Sequence, residues 1–304
     1  MRSMDILITN PYLVHLTGSE VNSVEFSEYF QSRGHNVDVV VNKYGGAGAA
    51  LLKDSAPSVV VYSLTTIPNK KYDLIWNMAA VGLLDLNEVL KRVSGDNIVN
   101  YTLSPFQREG TPPPVEMHKY YANSWETQQA WERNVIMDIL PNMAPDRFFV
   151  ERTSLKLTRV AIVSNHVPKE LYEARTILMN AGIDVVHHGF GGKVARITPD
   201  LLISYSAVIT IGKTVQYGLA AQTPIYCYDK FGGPGYITPQ NIDLAGKYNF
   251  SGRCCRRQIS GVQIASEIIE GYTDVSNMRV RLQEIAKEQY HLGSRMDNVM
   301  RSIF

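Results

Sequence analysis

Residues 209–235 read ITIGKTVQYGLAAQTPIYCYDKFGGPG, and this stretch decides the fold. A β-branched apolar run, Ile209-Thr210-Ile211, stops at Gly212-Lys213-Thr214. A helix-permissive segment follows, Pro224 opens a second apolar run, and a glycine-rich turn from Phe231 to Gly235 ends it. Strand, turn, helix, strand and loop in that order are half of a doubly wound α/β unit. Gly212 permits a tight turn, and the amides after it open a helix whose positive end attracts an anion. Lys213 adds a full charge at the same point. The loop holding Gly232, Gly233 and Gly235 is expected beyond the carboxyl end of the next strand, on the edge where open α/β sheets bind ligands. A phosphorylated ligand suits that edge.

The same grammar recurs along the chain. In the first half, strands are expected at residues 6–9, 37–41, 58–62, 74–76, 98–103 and 119–122, with a helix over 19–32 closed by Gly34. In the second half, strands are expected at 159–164 and 183–187 and helices at 168–180 and 199–205. Two further helices, at 258–271 and 275–290, close the chain. Pro141, Pro145 and a polar stretch running to residue 158 punctuate the middle of the chain, giving domains 1–150 and 151–304, with the last helix packing back on the first domain. The expected fold class is α/β: two Rossmann-like doubly wound domains facing across a cleft that holds the ligand.

At 304 residues the chain has room for two domains of roughly 150 residues each. An apolar content of 45% and a charged content of 19% exclude general disorder. A net charge of +1 sets up no global field, so nucleic acid is not an expected partner. Apolar runs stop well short of the ~18 residues of a membrane span, and the first residues lead into a strand rather than a signal-peptide core. Three cysteines, with Cys254 and Cys255 adjacent, make neither a disulfide framework nor a spaced metal site. A cytoplasmic protein is expected. Arg253, Arg256 and Arg257 form a basic cluster read as solvated surface, with peripheral contact to the inner face of a membrane as the alternative.

Four segments carry a resemblance. Thr17-Gly18-Ser19-Glu20 follows the first strand and precedes a helix and Arg33-Gly34-His35-Asn36-Val37. Ala122-Asn123-Ser124, with Glu126 and Thr127, ends a later strand. Leu140-Pro141-Asn142 runs on to Arg147-Phe148, and Thr223-Pro224-Ile225 leads to Gly232-Gly233. In order and spacing these resemble motifs of the GT-B glycosyltransferases, the sugar transferases built of two Rossmann domains, and within them the group-4-like branch. The resemblance implies transfer of a sugar from a nucleotide-sugar donor, held mainly on the second domain, to an acceptor hydroxyl. It further implies a saccharide or lipid-linked acceptor, a place in surface polysaccharide or glycolipid synthesis, and a metal-independent reaction with no cofactor beyond the donor. The sequence departs from the branch where two glutamates commonly stand before the Gly-x-Pro-Val segment. Ile209 and Tyr217 occupy those positions. The usual Arg and Lys of the second domain are replaced by the stretch from Ser164 to Lys169, which marks a divergent branch.

Candidate residues follow from chemistry at these places. Gly212, Lys213 and Thr214 are the donor-phosphate candidates, because a diphosphate leaving group needs preorganised donors; Gln216 stands beside them. Gly232 and Gly233 allow backbone amides to approach sugar or phosphate, and Asp229 is placed to bind a sugar hydroxyl. Asn165, His166 and Lys169 follow a strand of the same domain, with His166 a phosphate donor when protonated. In the first domain His15 is the candidate base, with Glu20 behind it, and Gly18 and Ser104 are candidate substrate contacts. The run Gly45-Gly46-Ala47-Gly48 follows the second strand with the wrong spacing for a dinucleotide fingerprint and is read as a mobile loop. Two rivals stand beside glycosyl transfer: a cofactor-free nucleotide-sugar epimerase, and a non-catalytic nucleotide-sugar-binding subunit of a transferase complex.

Overall fold

The computed structural model describes residues 2–78, 83–153, 156–193 and 195–304. Ser154 and Leu155, within the punctuating stretch 145–158, lie outside them. The chain forms two compact units, Met1–Leu140 with Asn298–Phe304, and Pro141–Asp297.

In the first unit the elements run β1 (Asp5–Thr9), β2 (Tyr12–Leu13), α1 (Gly18–Ser32), β3 (Asn36–Val40), β4 (Lys43–Tyr44) and α2 (Gly46–Ser55). There follow β5 (Val60–Tyr62), β6 (Lys70–Asn77), α3 (Leu86–Leu90), β7 (Val93–Thr102), α4 (Gln107–Gly110), β8 (Lys119–Ala122), α5 (Trp125–Trp131) and β9 (Asp138–Ile139). Among the described residues seven strands pair in parallel in the order β5-β3-β1-β6-β7-β8-β9. The order reverses at β1, which takes β3 on one side and β6 on the other. Strands buried on both faces need continuous apolar runs, and Ile6, Leu7, Ile8, Leu74, Ile75 and Trp76 supply them. Trp76 meets Phe26 of α1 edge-on at 5.4 Å and stacks on Tyr121 at 6.0 Å. Towards the carboxyl ends the core turns polar. Thr9 donates to Asn77, Asn77 to Asn100 at 2.7 Å, and Asn100 to Thr102 at 2.8 Å, so buried side chains satisfy one another across three strands.

The second unit continues with β10 (Arg159–Val163), α6 (Lys169–Asn180), β11 (Asp184–His188), α7 (Pro199–Ile203), β12 (Ala207–Thr210), α8 (Lys213–Ala220), β13 (Ile225–Asp229) and β14 (Gly232–Tyr236). It ends with α9 (Ile242–Lys247), α10 (Gly261–Asn277), α11 (Arg279–Tyr290) and α12 (Leu292–Ile303), whose last residues count with the first unit. The sheet order among the described residues is β11-β10-β12-β13-β14, parallel except for the final pair. Val160, Ile162, Leu171, Leu178, Ile209, Ile264 and Ile268 build the core between this sheet, α6 and α10. Residues 141–150 belong here rather than with the first domain, since Phe148 stacks on Tyr217 at 4.0 Å and Ala144 O accepts from Leu292 N at 2.9 Å.

Three expectations from the sequence are corrected. Gly45 to Gly48 are not a mobile loop. Gly46 and Gly48 begin α2, and a Cβ on either would fall 2.5–2.8 Å from backbone of Leu13, Val14 or His15. Helix and loop press together there, and only glycine fits. Gly232 and Gly233 lie in the edge strand β14, antiparallel to β13, not in an open loop. A third closing helix, α12, follows residue 290, where His291 leaves helical geometry and restarts the next helix.

Gly232 has φ +82°, and an added Cβ would stand 2.1 Å from Arg257 O. Gly232→Ala is therefore expected to destabilise the protein by about 3 kcal/mol or more. Gly18, whose Cβ would meet nothing within 4 Å, is expected to tolerate alanine within about 0.5 kcal/mol. Thermal unfolding followed by circular dichroism compares the two.

Candidate functional site

In the second unit the sheet order reverses at β10, and ligands of open α/β sheets sit outside the carboxyl ends at such a point. Three segments follow one another along that carboxyl edge: the turn after β10 with Asn165 and His166, the Gly212 turn between β12 and α8, and the end of β13 at Asp229. Gly212 adopts φ +60°, which excludes ordinary side chains, and nothing lies within 4 Å of the position its Cβ would take. Its amide is engaged, donating to Phe250 O at 3.1 Å. The Gln216 side-chain amide, buried below, donates to Gly212 O at 2.7 Å and Lys213 O at 3.0 Å, fixing the first turn of α8. Thr214 is half-buried beside it.

Asp229 is the buried acid of this edge. The register between β13 and β14 shifts between Cys227 and Asp229, and bulges of this kind re-aim side chains. Asp229 is 7% exposed as a residue, and its Oδ1 has no hydrogen-bond partner. Burial raises its pKa, while the Lys230 amide and the charges of Lys230, His166 and Arg253 pull the other way without prevailing. Lys230 Nζ and Arg253 Cζ lie 5.0 Å and 5.5 Å from the centre of the Phe231 ring. A withdrawn carboxylate and three basic side chains thus share one corner of the sheet. Lys230 is the residue of this corner that sequence reasoning missed, and Arg253 was read only as solvated surface. The available signal was position, since Lys230 directly follows the strand-end aspartate. Arg257 leaves the basic cluster altogether, clasping Glu267 at 2.7 Å and 2.9 Å.

Other second-unit candidates take different roles. Lys213 is 8% exposed, and its Nζ donates to Met143 O at 3.0 Å and lies 5.2 Å from the Tyr217 ring centre. Its ammonium ties residues 141–150 to α8, so the expected phosphate-facing lysine is corrected to a buried tether. Gly233 N donates to Arg257 O, and the Cβ positions of Gly232 and Gly233 are filled by backbone. Both glycines serve close packing of β14, not ligand approach. Asn165 Oδ1 accepts from Phe190 N at 3.3 Å, which engages it in the turn. His166 and Lys169 are exposed.

In the first unit, Glu20 holds the loop after β2. Its Oε1 accepts from Val14 N at 2.8 Å and His15 N at 3.0 Å, and its Oε2 from Thr17 N at 3.1 Å and Thr17 Oγ1 at 2.8 Å. Four bonds to a carboxylate buried at the start of α1 make it a capping-box residue, and the expectation of a base is corrected accordingly. The loop it fixes presents His15 and Gly18, both exposed. Ser104 is buried, accepts from Phe106 N at 3.2 Å and receives Trp131 Nε1 on its carbonyl at 3.1 Å; it builds the turn after β7 rather than a substrate contact. Among the described residues no three His, Cys, Asp or Glu side chains converge to hold a metal ion, and no helix is long and apolar enough to cross a membrane.

No family model and no curated protein matches the sequence. Solved structures do match. A glycosyltransferase from Rickettsia africae ESF-5 is similar at TM-score 0.62 over 100% of this chain and 98% of its own, with 12% identity. An alpha-glucosyltransferase in complex with UDP and a 13-mer DNA gives 0.60 over 99% and 100%, with 12% identity. A TarM mutant of S. aureus in complex with Fondaparinux, alpha-GlcNAc-glycerol and UDP gives 0.58 over 98% and 99%, with 8% identity. The fold is the GT-B fold of two Rossmann-like units.

Two substitutions separate the roles at this edge. A raised carboxyl pKa means that, between the ordinary aspartate value and the raised one, the folded chain holds more protons than the unfolded chain, so stability falls as pH rises. Asp229→Asn removes that cost and is expected to raise Tm at pH 7 by roughly 2 °C. The gain should vanish below about pH 3.9, where the carboxyl is protonated in both states. Lys213→Met keeps the apolar stem and is expected to cost about 1–3 kcal/mol, from the Met143 carbonyl left unpaired. Calorimetric unfolding across pH measures both.

Proposed function

We propose that the chain is a glycosyltransferase that moves a sugar from a nucleotide-sugar donor to an acceptor hydroxyl. The observation that carries the proposal is the buried Asp229 carboxylate, with an unpartnered oxygen and three basic neighbours, at the switch-point edge of the second GT-B unit. An oxygen withdrawn from water without a donor is costly, and such strain is retained where a ligand hydroxyl completes it. In this reading Asp229 Oδ1 accepts a hydroxyl of the donor. Arg253, Lys230 and His166 meet the diphosphate, whose negative charge grows as the glycosidic bond breaks. Gly212, open above its turn, lets the phosphates come close to the start of α8 at Thr214.

On the first unit, His15 is the group assigned to the acceptor proton, held by the Glu20-anchored loop with Gly18 beside it. Transfer with inversion needs such a base; its removal lowers turnover without touching the donor. UDP and a saccharide in the TarM complex, and UDP in the alpha-glucosyltransferase complex, support a nucleotide-linked donor for this fold. The acceptor assigned is a saccharide or lipid-linked sugar of surface polysaccharide or glycolipid synthesis, used by a cytoplasmic enzyme peripheral to the inner membrane face. The positive charge required at the leaving group is assigned to side chains, and no metal ion enters the scheme.

Isothermal titration with UDP-, GDP-, ADP- and CMP-sugars tests the donor. One donor class is expected to bind, with Arg253→Ala weakening it about tenfold, in line with loss of a charge-assisted bond. His15→Ala is expected to leave that affinity in place and to lower kcat by about 10²–10⁴. Absence of binding by every nucleotide and nucleotide sugar contradicts the proposal.

A further inference from the structure

The segment between α9 and α10 carries two thiols that the proposed chemistry does not use. Cys254 and Cys255 are sequence neighbours, yet their Sγ atoms converge to 2.7 Å. The segment is strained around them, with Asn249, Phe250 and Arg256 all near φ +50°. Its first part is clamped: Phe250 O accepts from Gly212 N at 3.1 Å and from Cys227 Sγ at 3.3 Å, and Gly252 packs on Gly232 O. Beyond the clamp, Cys254 is half-buried and Cys255 exposed, while Cys227 is fully buried beneath. Arg253, immediately before the thiol pair, is the arginine whose charge acts on Asp229.

We propose that Cys254 and Cys255 form a modification site for two-electron oxidants, closing to a vicinal disulfide that displaces Arg253 from the corner it shares with Asp229. The modification rests on the segment alone; its effect on ligand binding rests on the donor-site reading above. With hydrogen peroxide, the Cys255 thiol gives up its proton as Sγ attacks one oxygen, the O–O bond breaks and the leaving hydroxide takes up that proton as water, giving a sulfenic acid. Cys254 Sγ then loses its proton and attacks the Cys255 sulfur, forming the S–S bond and releasing the second water. Two thiols are oxidised and one peroxide is reduced to two waters.

The order follows exposure, since Cys255 meets the oxidant first. Burial and the hydrogen shared with Cys255 push the Cys254 thiol up to about 12, which keeps it protonated and slow towards the oxidant itself. Cys227, with its pKa raised by burial and no access to solvent, is an internal control. Closing a ring across two adjacent residues reshapes their backbone. Because residues up to Gly252 are pinned, the displacement falls on Arg253 and Arg256.

The experiment treats reduced full-length protein with hydrogen peroxide, caps remaining thiols with iodoacetamide and maps the peptides by mass. The expected result is a 254–255 peptide lighter by two hydrogens and unlabelled by iodoacetamide, with Cys227 still a thiol after unfolding. Cys254→Ser or Cys255→Ser should abolish the closure. Labelled Cys254 and Cys255, a sulfonic acid without disulfide, or a bond to Cys227 or a second chain overturns the proposal. In parallel, oxidation is expected to weaken the nucleotide-sugar ligand about tenfold, a typical coupling between linked sites, reversibly with dithiothreitol and not in Cys255→Ser. Closure without that loss overturns the effect on Arg253. If reduced protein binds no nucleotide sugar, the donor reading fails, and the peptide masses still decide the modification.

Discussion

One withdrawn carboxylate organises the functional edge of this protein. Asp229 stands where β13 ends, its oxygen out of water and without a donor, and the surroundings are arranged so that it stays there. A register shift points it inward, the glycines of β14 pack against the backbone beside it, and Arg257 closes on Glu267 to hold that edge strand. Burying charge is unfavourable unless something repays the lost hydration. Basic side chains from three different segments, His166, Lys230 and Arg253, lie near enough to act on it. Such a corner is prepared for a polar, anionic guest.

The first unit reaches its own arrangement by a different device. Glu20 takes four donors from a single loop and thereby converts residues 14–17 from a flexible connection into a fixed platform for His15. Behind it, Gly46 and Gly48 let α2 lean on that platform. The buried chain from Thr9 through Asn77 and Asn100 to Thr102 satisfies the polar ends of three strands without water. Both edges leave a buried acceptor open, Asn10 Oδ1 after β1 and Asp229 Oδ1 at the end of β13, and in the second unit basic side chains gather around it.

The fold was legible because apolar runs and glycine or proline punctuation encode parallel strands directly. Ile6 to Thr9, Arg159 to Val163 and the stretch from Ile209 to Asp229 could be placed from pattern alone. The site was legible only in part. Asp229, His166 and Gly212 were expected at strand ends, and strand ends are where they stand. Lys213 and Glu20 were misread because residue type announces charge but not direction. A lysine after a glycine looks like a phosphate ligand until its ammonium is seen on Met143 O, and a glutamate near a loop looks like a base until four donors surround it. Glycines were equally ambiguous. Gly212 opens to space while Gly232 and Gly233 are sealed by Arg257 and Cys227 backbone, a distinction that depends on residues distant in sequence. Arg253 was read as solvated surface because the loop bringing it to Asp229 relies on left-handed Asn249 and Phe250, which no local pattern signals.

The most direct test is a carbon-detected NMR titration of the Asp229 carboxyl, in the free protein and with a saturating nucleotide sugar. The expected result is a pKa above the ordinary aspartate value in the free protein and a fall once a ligand hydroxyl donates to the ionised form. An ordinary value in the free protein, unchanged by any nucleotide sugar, would contradict it.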